Sequence, residues 1–486
     1  MDAPNRRDTL SDTKRALLEA RMRGVAHAPT RRETIPRAAG DGPEFPMSFG
    51  QERMWFLAQV EPENPMYNVP ITVLVRADLD VPLLERALAV VVRRHEALRT
   101  VFRMVDGQLR QIVMEPFHPR VEVFDVRARV AAAQGDARDE ILKLAAEEGA
   151  RLFDVGRLPL FRVTLLRVSD ERYALVITVH HIATDGWSYP LILREMDQFY
   201  ADLVHGRPHT LPEPKLRFVD YAVWQRGWLS GETLERQVAF WREHLRGAPN
   251  LALPTDRPRP PVTSYRGTFH HFLVSRELTH ALHELGRRQA ATLNMVMMAG
   301  FYALLARYSG QDDVVVGTLL GNRNRPEIEE IIGFFVNTGA LRMRLDGDPT
   351  FAELVRRTRR VVLDADRHQE LPFEKLVDEL GVARDPSRHP LFQAMYFHHT
   401  YVLSHQSPEE GFQTLLDPQP LHRGTDISLI DTGVSKFDLG LCTVETDGRL
   451  NGLMEYATDL FDAPTIQRLC RHLVTLLEQA VAAPDA

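Results

Sequence analysis

The stretch VITVHHIATDGWS, residues 176–188, decides the reading of this chain. An apolar run ends in two histidines, and four residues after the second come Asp185 and Gly186, where a helix starts. Adjacent side chains on a strand point to opposite faces, so His180 and His181 cannot both face one ligand. Paired metal ligands usually sit two or four residues apart, so no metal is expected on this pair. One ring should enter a core or a hydrogen bond, and the other, His181, should face a cavity. Asp185 then lies in the turn behind the imidazole, and its plainest role is a helix N-cap. Gly186 leaves room for close approach of a chain or ligand, or for positive φ.

Two further pairs act as controls. His270-His271 and His398-His399 also lie in strand-like runs, but Ser275 and Leu403 stand where an aspartate would be needed. Neither pair leads into a glycine and a helix start, so both read as structural.

A histidine titrates near neutral pH and can take a proton from an amine, hydroxyl or thiol attacking an acyl carbon. There is no G-x-S-x-G elbow and no convincing serine or cysteine nucleophile near such a base, which disfavours an acyl-enzyme. Direct transfer between two bound substrates is simpler, with proximity supplying much of the rate.

The rest of the chain sets bounds. It has 486 residues, 44% apolar and 26% charged, with a net charge of −7, so no basic signal points to nucleic acid. Cys442 and Cys470 are the only cysteines, which suits a reducing cytoplasm. No apolar window is long enough to span a membrane. The N-terminus lacks the apolar core of a signal peptide. It reads instead as a short helix between Ser11 and Gly24, followed by a Pro/Arg/Gly-rich linker, so residues 1–46 stand apart.

Beyond Met47, helical periodicity runs through residues 80–98, 138–153 and 188–203, with strands near 108–114, 120–126, 161–168 and 173–182. The pattern breaks at 205–218. It then resumes with a long helix over 276–308, a strand at 312–320, a helix at 350–366 and strands near 391–397 and 437–445. Strands and helices mixed without strict alternation imply an α+β fold, with helices against a largely antiparallel sheet. The break suggests a first unit over 47–215 and a second over 216–486.

HHIATDG resembles the HHxxxDG signature of condensation domains of nonribosomal peptide synthetases, relatives of chloramphenicol acetyltransferase. Other blocks of that family stand in order: SFGQERMWFL (48–57), YNVP (67–70), RHEALRTVF (94–102), FVDYAVWQ (218–225) and IGFFVNTGALR (332–342). HQELPFEKLV (368–377), RDPSRHPLFQ (384–393), SKFDLGL and EYATDLF complete the series. Ala183 and Thr184, Gly50 and Leu371 are small departures that bear on packing. RHEALRT and DGWS resemble the type joining an L-donor to an L-acceptor. Heterocyclising relatives carry two aspartates in place of the histidines.

The resemblance implies two chloramphenicol-acetyltransferase-like lobes in a V-shaped pseudo-dimer with a central channel. Donor and acceptor would arrive on 4'-phosphopantetheine arms of carrier proteins, with adenylation or polyketide synthase modules as neighbours and no cofactor held by the domain. His181 would be catalytic, as base or as the group that positions the amine. His180, Asp185 and Gly186 would support it, with Trp187, Ser188, Arg94, Arg99 and Asn337 along the channel or beside the motif. Arg323 resembles the position from which family members bring an arginine to this aspartate. A buried carboxylate needs such a cation, so an Asp185–Arg323 bridge is expected. Ester formation, a CoA-dependent acyltransferase and a docking-only domain are the alternatives.

Overall fold

The computed structural model describes residues 34–39, 42–76, 78–133, 137–209, 211–383, 385–399, 419–420, 433–446 and 448–486. The helix expected between Ser11 and Gly24 lies outside these residues.

Two mixed sheets, each backed by its own helices, give the α+β, two-lobed, acetyltransferase-like architecture. The first sheet runs in the order Gln419–Pro420, Asn68–Arg76, Arg172–His180, Phe161–Arg167, Val121–Asp125. The second runs Asn337–Arg344, Asp313–Leu320, Ala394–His399, Leu439–Thr446, Arg449–Ala457, Gly267–Val274. Most pairings are antiparallel, as the connections of such a fold allow; Val121–Asp125 and Ala394–His399 pair in parallel. Buried Leu, Val and Ile on the inward positions of Arg172–His180 meet the helices Val81–Arg94 and Ser188–Val204 in the first core.

Three expectations change. The linker does not extend to residue 46. Ile35 is buried, its N–H donates to Glu327 Oε1 at 3.2 Å, and Glu44–Pro46 forms a strand on Gln108–Val113. The division near residue 215 is not where the cores divide. Leu216, Phe218 and Tyr221, with Ile328, Ile331, Ile332, Phe334 and Phe335, pack into the first core, while Leu229 belongs to the second. Composition marked the polar turn, but the apolar face of Phe218–Trp228 decides which core it joins.

The long helix over 276–308 is two helices, Arg276–Arg288 and Leu293–Ser309, bent by 101°. Ala290 takes a φ of 51°, and Thr292 caps the second helix by accepting from Met295 N at 3.3 Å. A threonine in this place satisfies one of the free amides at a helix start. Among the described residues no single helix is long and apolar enough to cross a membrane. That bent pair passes by length and composition, yet Leu293–Ser309 is a core helix.

The control pair His398-His399 is structural in its contacts: His398 Nδ1 lies 2.9 Å from Thr443 Oγ1 on the neighbouring strand. Burial pulls both imidazoles down to about 4. It does the same to His244 (about 4, helped by Arg342) and to His389 (about 3, helped by Arg53). These groups give an acid-stability prediction. Their unfolded forms bind protons below about pH 6.5, while the folded protein refuses them until near pH 4. The unfolded state therefore gains protons first, and stability falls as pH drops from 6.5 towards 4. Each histidine contributes a slope of up to ~1.4 kcal/mol per pH unit. Melting temperature should be flat from pH 8 to 7 and fall steeply below 6.5; an unchanged value down to pH 4.5 contradicts this.

Candidate active site

The strand carrying the motif ends at His180, and His181 opens a single 3-10 turn, His181–Ala183. The two rings are thus separated by the turn, not by strand alternation as the sequence suggested. His180 is buried against the first core, edge-on to Phe153, and its Nδ1 accepts from Ile182 N at 3.2 Å. Burial, with His181 and Lys436 nearby, drives its proton affinity down to about 3, so it is a neutral structural group.

His181 is half-buried, its ring edge-on to Phe334 with centroids 5.0 Å apart. Its Nδ1 lies 2.7 Å from the carbonyl oxygen of Thr184. A carbonyl only accepts, so Nδ1 carries the proton and Nε2 keeps its lone pair. Burial, reinforced by the charge of Lys436, pulls the imidazole down to about 4, against the opposing pull of the Thr184 carbonyl and Asp185. The ring is neutral at physiological pH and presents a hydrogen-bond acceptor.

Asp185 is the hub of the loop. Its Oδ1 accepts from Ser188 N at 3.1 Å and Ser188 Oγ at 2.8 Å, and its Oδ2 from Phe335 N at 3.1 Å. Arg323 Nη2 stands 3.0 Å from Oδ1, with both side chains 3% exposed. The guanidinium also donates to the carbonyls of Ile328 (2.7 Å) and Ile331 (2.9 Å), and lies 4.1 Å from the Phe335 ring centroid. Asp185 therefore caps the turn and pairs with the arginine at once. Ser188 Oγ also accepts from Gly333 N at 3.2 Å, and Trp187 Nε1 donates to Glu329 O at 2.8 Å. Five of the residues named from sequence thus meet here: His181, Asp185, Trp187, Ser188 and Arg323.

Gly186 is exposed, is absent from the positive-φ residues, and a Cβ built on it would meet no atom within 4 Å. Neither a positive φ nor a close neighbour among the described residues requires this glycine.

Other positions named from sequence are not part of this constellation. Arg94 pairs with buried Glu195 at 3.0 Å and donates to Pro212 O. Arg99 is held by Glu96 and the Met114 carbonyl. The RHEALRT arginines therefore pin the first lobe's own framework, and their bonds do not reach the 180–188 loop. Asn337 donates to the carbonyls of Gln369 (2.8 Å) and Leu371 (2.6 Å), fixing the turn before the helix Phe373–Glu379. Its surroundings include Gly50, Arg53, Phe334 and Glu374 at a small cavity.

Phe334, against the His181 ring, and Lys436, whose charge the ring senses, are not visible as site residues in the sequence: both lie inside family blocks, and local spacing carries no sign of either contact. Among the described residues no three His, Cys, Asp or Glu side chains are arranged to hold a metal ion.

The family model described as "Condensation domain" matches residues 43–486. The chain is 43% identical over 444 residues to a linear gramicidin synthase protein of Brevibacillus parabrevis, covering 91% of this chain and 8% of that protein. It is 38% identical over 484 residues to the phosphinothricin tripeptide synthetase PhsC of Streptomyces viridochromogenes, covering 99% and 43%. It therefore spans less than half the length of these curated relatives. Among solved structures, the X-domain from teicoplanin biosynthesis is 28% identical with a TM-score of 0.78, covering 93% of this chain and 98% of that one. With the motif loop, the two sheets and the family match all in one chain, this protein belongs to the condensation-domain family.

Proposed function

We propose that this chain forms an amide bond between a donor acyl or peptidyl thioester and an acceptor aminoacyl thioester, each carried on the 4'-phosphopantetheine arm of a carrier protein. The acceptor nitrogen attacks the thioester carbon, the C–N bond forms, the C–S bond breaks, and a proton passes to the departing thiol. One observation carries this reading: the Nδ1 proton of His181 is committed to Thr184 O, so Nε2 offers its lone pair to the incoming amine. With so low a proton affinity, His181 aligns a neutral amine better than it stores a proton. Asp185, Ser188 and Arg323 fix the loop that aims it. The setting we propose is cytoplasmic, with adenylation or polyketide synthase modules beside the domain.

Mass spectrometry of loaded donor and acceptor carriers incubated with the chain tests this directly. The lengthened chain should appear on the acceptor carrier. Transfer from free CoA thioesters at a higher rate would favour the soluble-donor alternative. A hydroxyl acceptor outcompeting the amine would favour ester formation, and carrier binding without transfer would favour a docking domain.

A second test uses the open space at Gly186. Gly186→Trp starts its side chain in open space at an exposed position, since no atom lies within 4 Å of the added Cβ. Melting temperature should be unchanged, while turnover falls through a raised KM for the acceptor carrier. Wild-type kinetics with both carriers would show that this position does not line the acceptor's path.

A further inference from the structure

Tyr67 ends a short 3-10 turn, Pro65–Tyr67, and the next residue, Asn68, stands opposite His180 in the antiparallel ladder. The register therefore sets Tyr67 beside the end of the histidine strand. A segment of the other half reaches this same point. Lys436, in the turn before the strand Leu439–Thr446, places Nζ 4.3 Å from the centroid of the Tyr67 ring. The face of an aromatic ring favours a cation and holds it in place.

The charged groups around this point come from several elements. Glu455, on Arg449–Ala457, accepts from Ser435 Oγ at 3.0 Å and from the Lys436 backbone N–H at 3.4 Å. Arg53, on Phe49–Val60, adds a second cation, paired with Glu374 at 2.9 Å. On the motif side stand His180, neutral, and Asp185, bound by Arg323. The carboxylate nearest His181 in sequence is thus already neutralised, whereas Lys436 approaches from across the lobes.

We propose that Lys436 is a positioning residue for condensation: its ammonium, fixed on Tyr67 at the end of the histidine strand, disfavours a second positive charge there and so holds both His181 and the acceptor amine neutral. This rests on the assignment of His181 in the proposed function. An acceptor ammonium has no lone pair and cannot attack, so a site that repels a second cation releases that proton to water before the C–N bond forms. No strongly basic residue is then needed. The low proton affinity of His181, in which Lys436 is the largest contributor after burial, agrees with this arrangement. Burial, with the Arg53 charge, lowers the proton affinity of Lys436 as well, to about 8, against the pull of Glu455, so the ammonium is the majority form below that pH.

The test uses the full chain with 13C-labelled histidine, the His181 signal being assigned by its loss in His181→Asn. Lys436→Met and Lys436→Gln should each raise the pH at which His181 titrates, by on the order of one unit. Lys436→Arg should return it to the wild-type point. With loaded carriers, the acid limb of the rate profile should move to higher pH in the neutral variants. An unshifted His181 titration in whichever neutral variant keeps the wild-type melting temperature overturns the proposal. If neither keeps it, a Lys436→Arg protein in which His181 titrates higher than in wild type does so. The titration needs no turnover, so it separates this proposal from the amide-forming reading. A shifted titration with no product on any carrier would fault the amide-forming reading, and with it the part of Lys436 in condensation, while its hold on the His181 charge would stand.

Discussion

Replacing His181 by alanine lowers chain transfer between loaded carriers by ~10²–10⁴-fold, the usual worth of one positioned proton-handling side chain, and leaves the fold intact. The structure explains both halves of this expectation. The ring is half-buried, touches Phe334 edge-on and makes one hydrogen bond, to Thr184 O. Its removal takes away little packing, and the loop keeps its bonds through Asp185. What is lost is the Nε2 acceptor that aligns the amine for attack. Residual turnover above background is expected, since both substrates are still delivered together. Mass spectrometry of carrier-bound product, beside a thermal melt of the same preparation, reads the two effects separately. Wild-type transfer by a folded His181→Ala protein would sink the assignment. The pH profile sharpens it. Because His181 is drawn down to about 4, an acid limb near neutrality reports the acceptor amine, and a limb near pH 4 reports the imidazole.

The parts of this site legible in the sequence were those carried by local spacing. A strand end, a histidine, three residues and Asp-Gly placed the imidazole and the carboxylate in one loop, because a tight turn leaves few other arrangements. Even Arg323 was legible, since a buried carboxylate demands a cation and the resemblance located one. What was not legible depended on long-range packing. Lys436 meets Tyr67 only because a turn of one lobe reaches the strand end of the other, and no periodicity encodes that. Arg94 and Arg99 misled for the converse reason. Arginines beside a recognisable block look functional, yet a buried Glu195 makes Arg94 a structural partner. The break within 276–308 was hidden because both segments are strongly helical, and only Thr292 marks the restart.

Asp185→Ala should destabilise the fold by ~3–5 kcal/mol, the cost of leaving a buried charge without its partner. Asp185 and Arg323 are each 3% exposed, so solvent cannot replace the lost contact. The carboxylate does two jobs that need separating. Its Oδ1 caps the turn through Ser188 N, and both oxygens face the Arg323 guanidinium. As a cap alone it would be worth ~0.5–2 kcal/mol. Asp185→Asn divides the two roles, because the amide oxygen still accepts from Ser188 N while the charge is gone. If the bridge dominates, Asp185→Asn loses most of what Asp185→Ala loses; if the cap dominates, it loses little. Arg323→Ala adds the other corner of the cycle. The carboxylate then keeps three donors, Ser188 N, Ser188 Oγ and Phe335 N, so this single change should be the milder of the two. Contacting partners of this kind couple by ~0.5–3 kcal/mol. Chemical denaturation of the two single mutants and the double mutant measures that coupling. Strict additivity would show that Asp185 serves as the cap of its own turn without energetic coupling to Arg323.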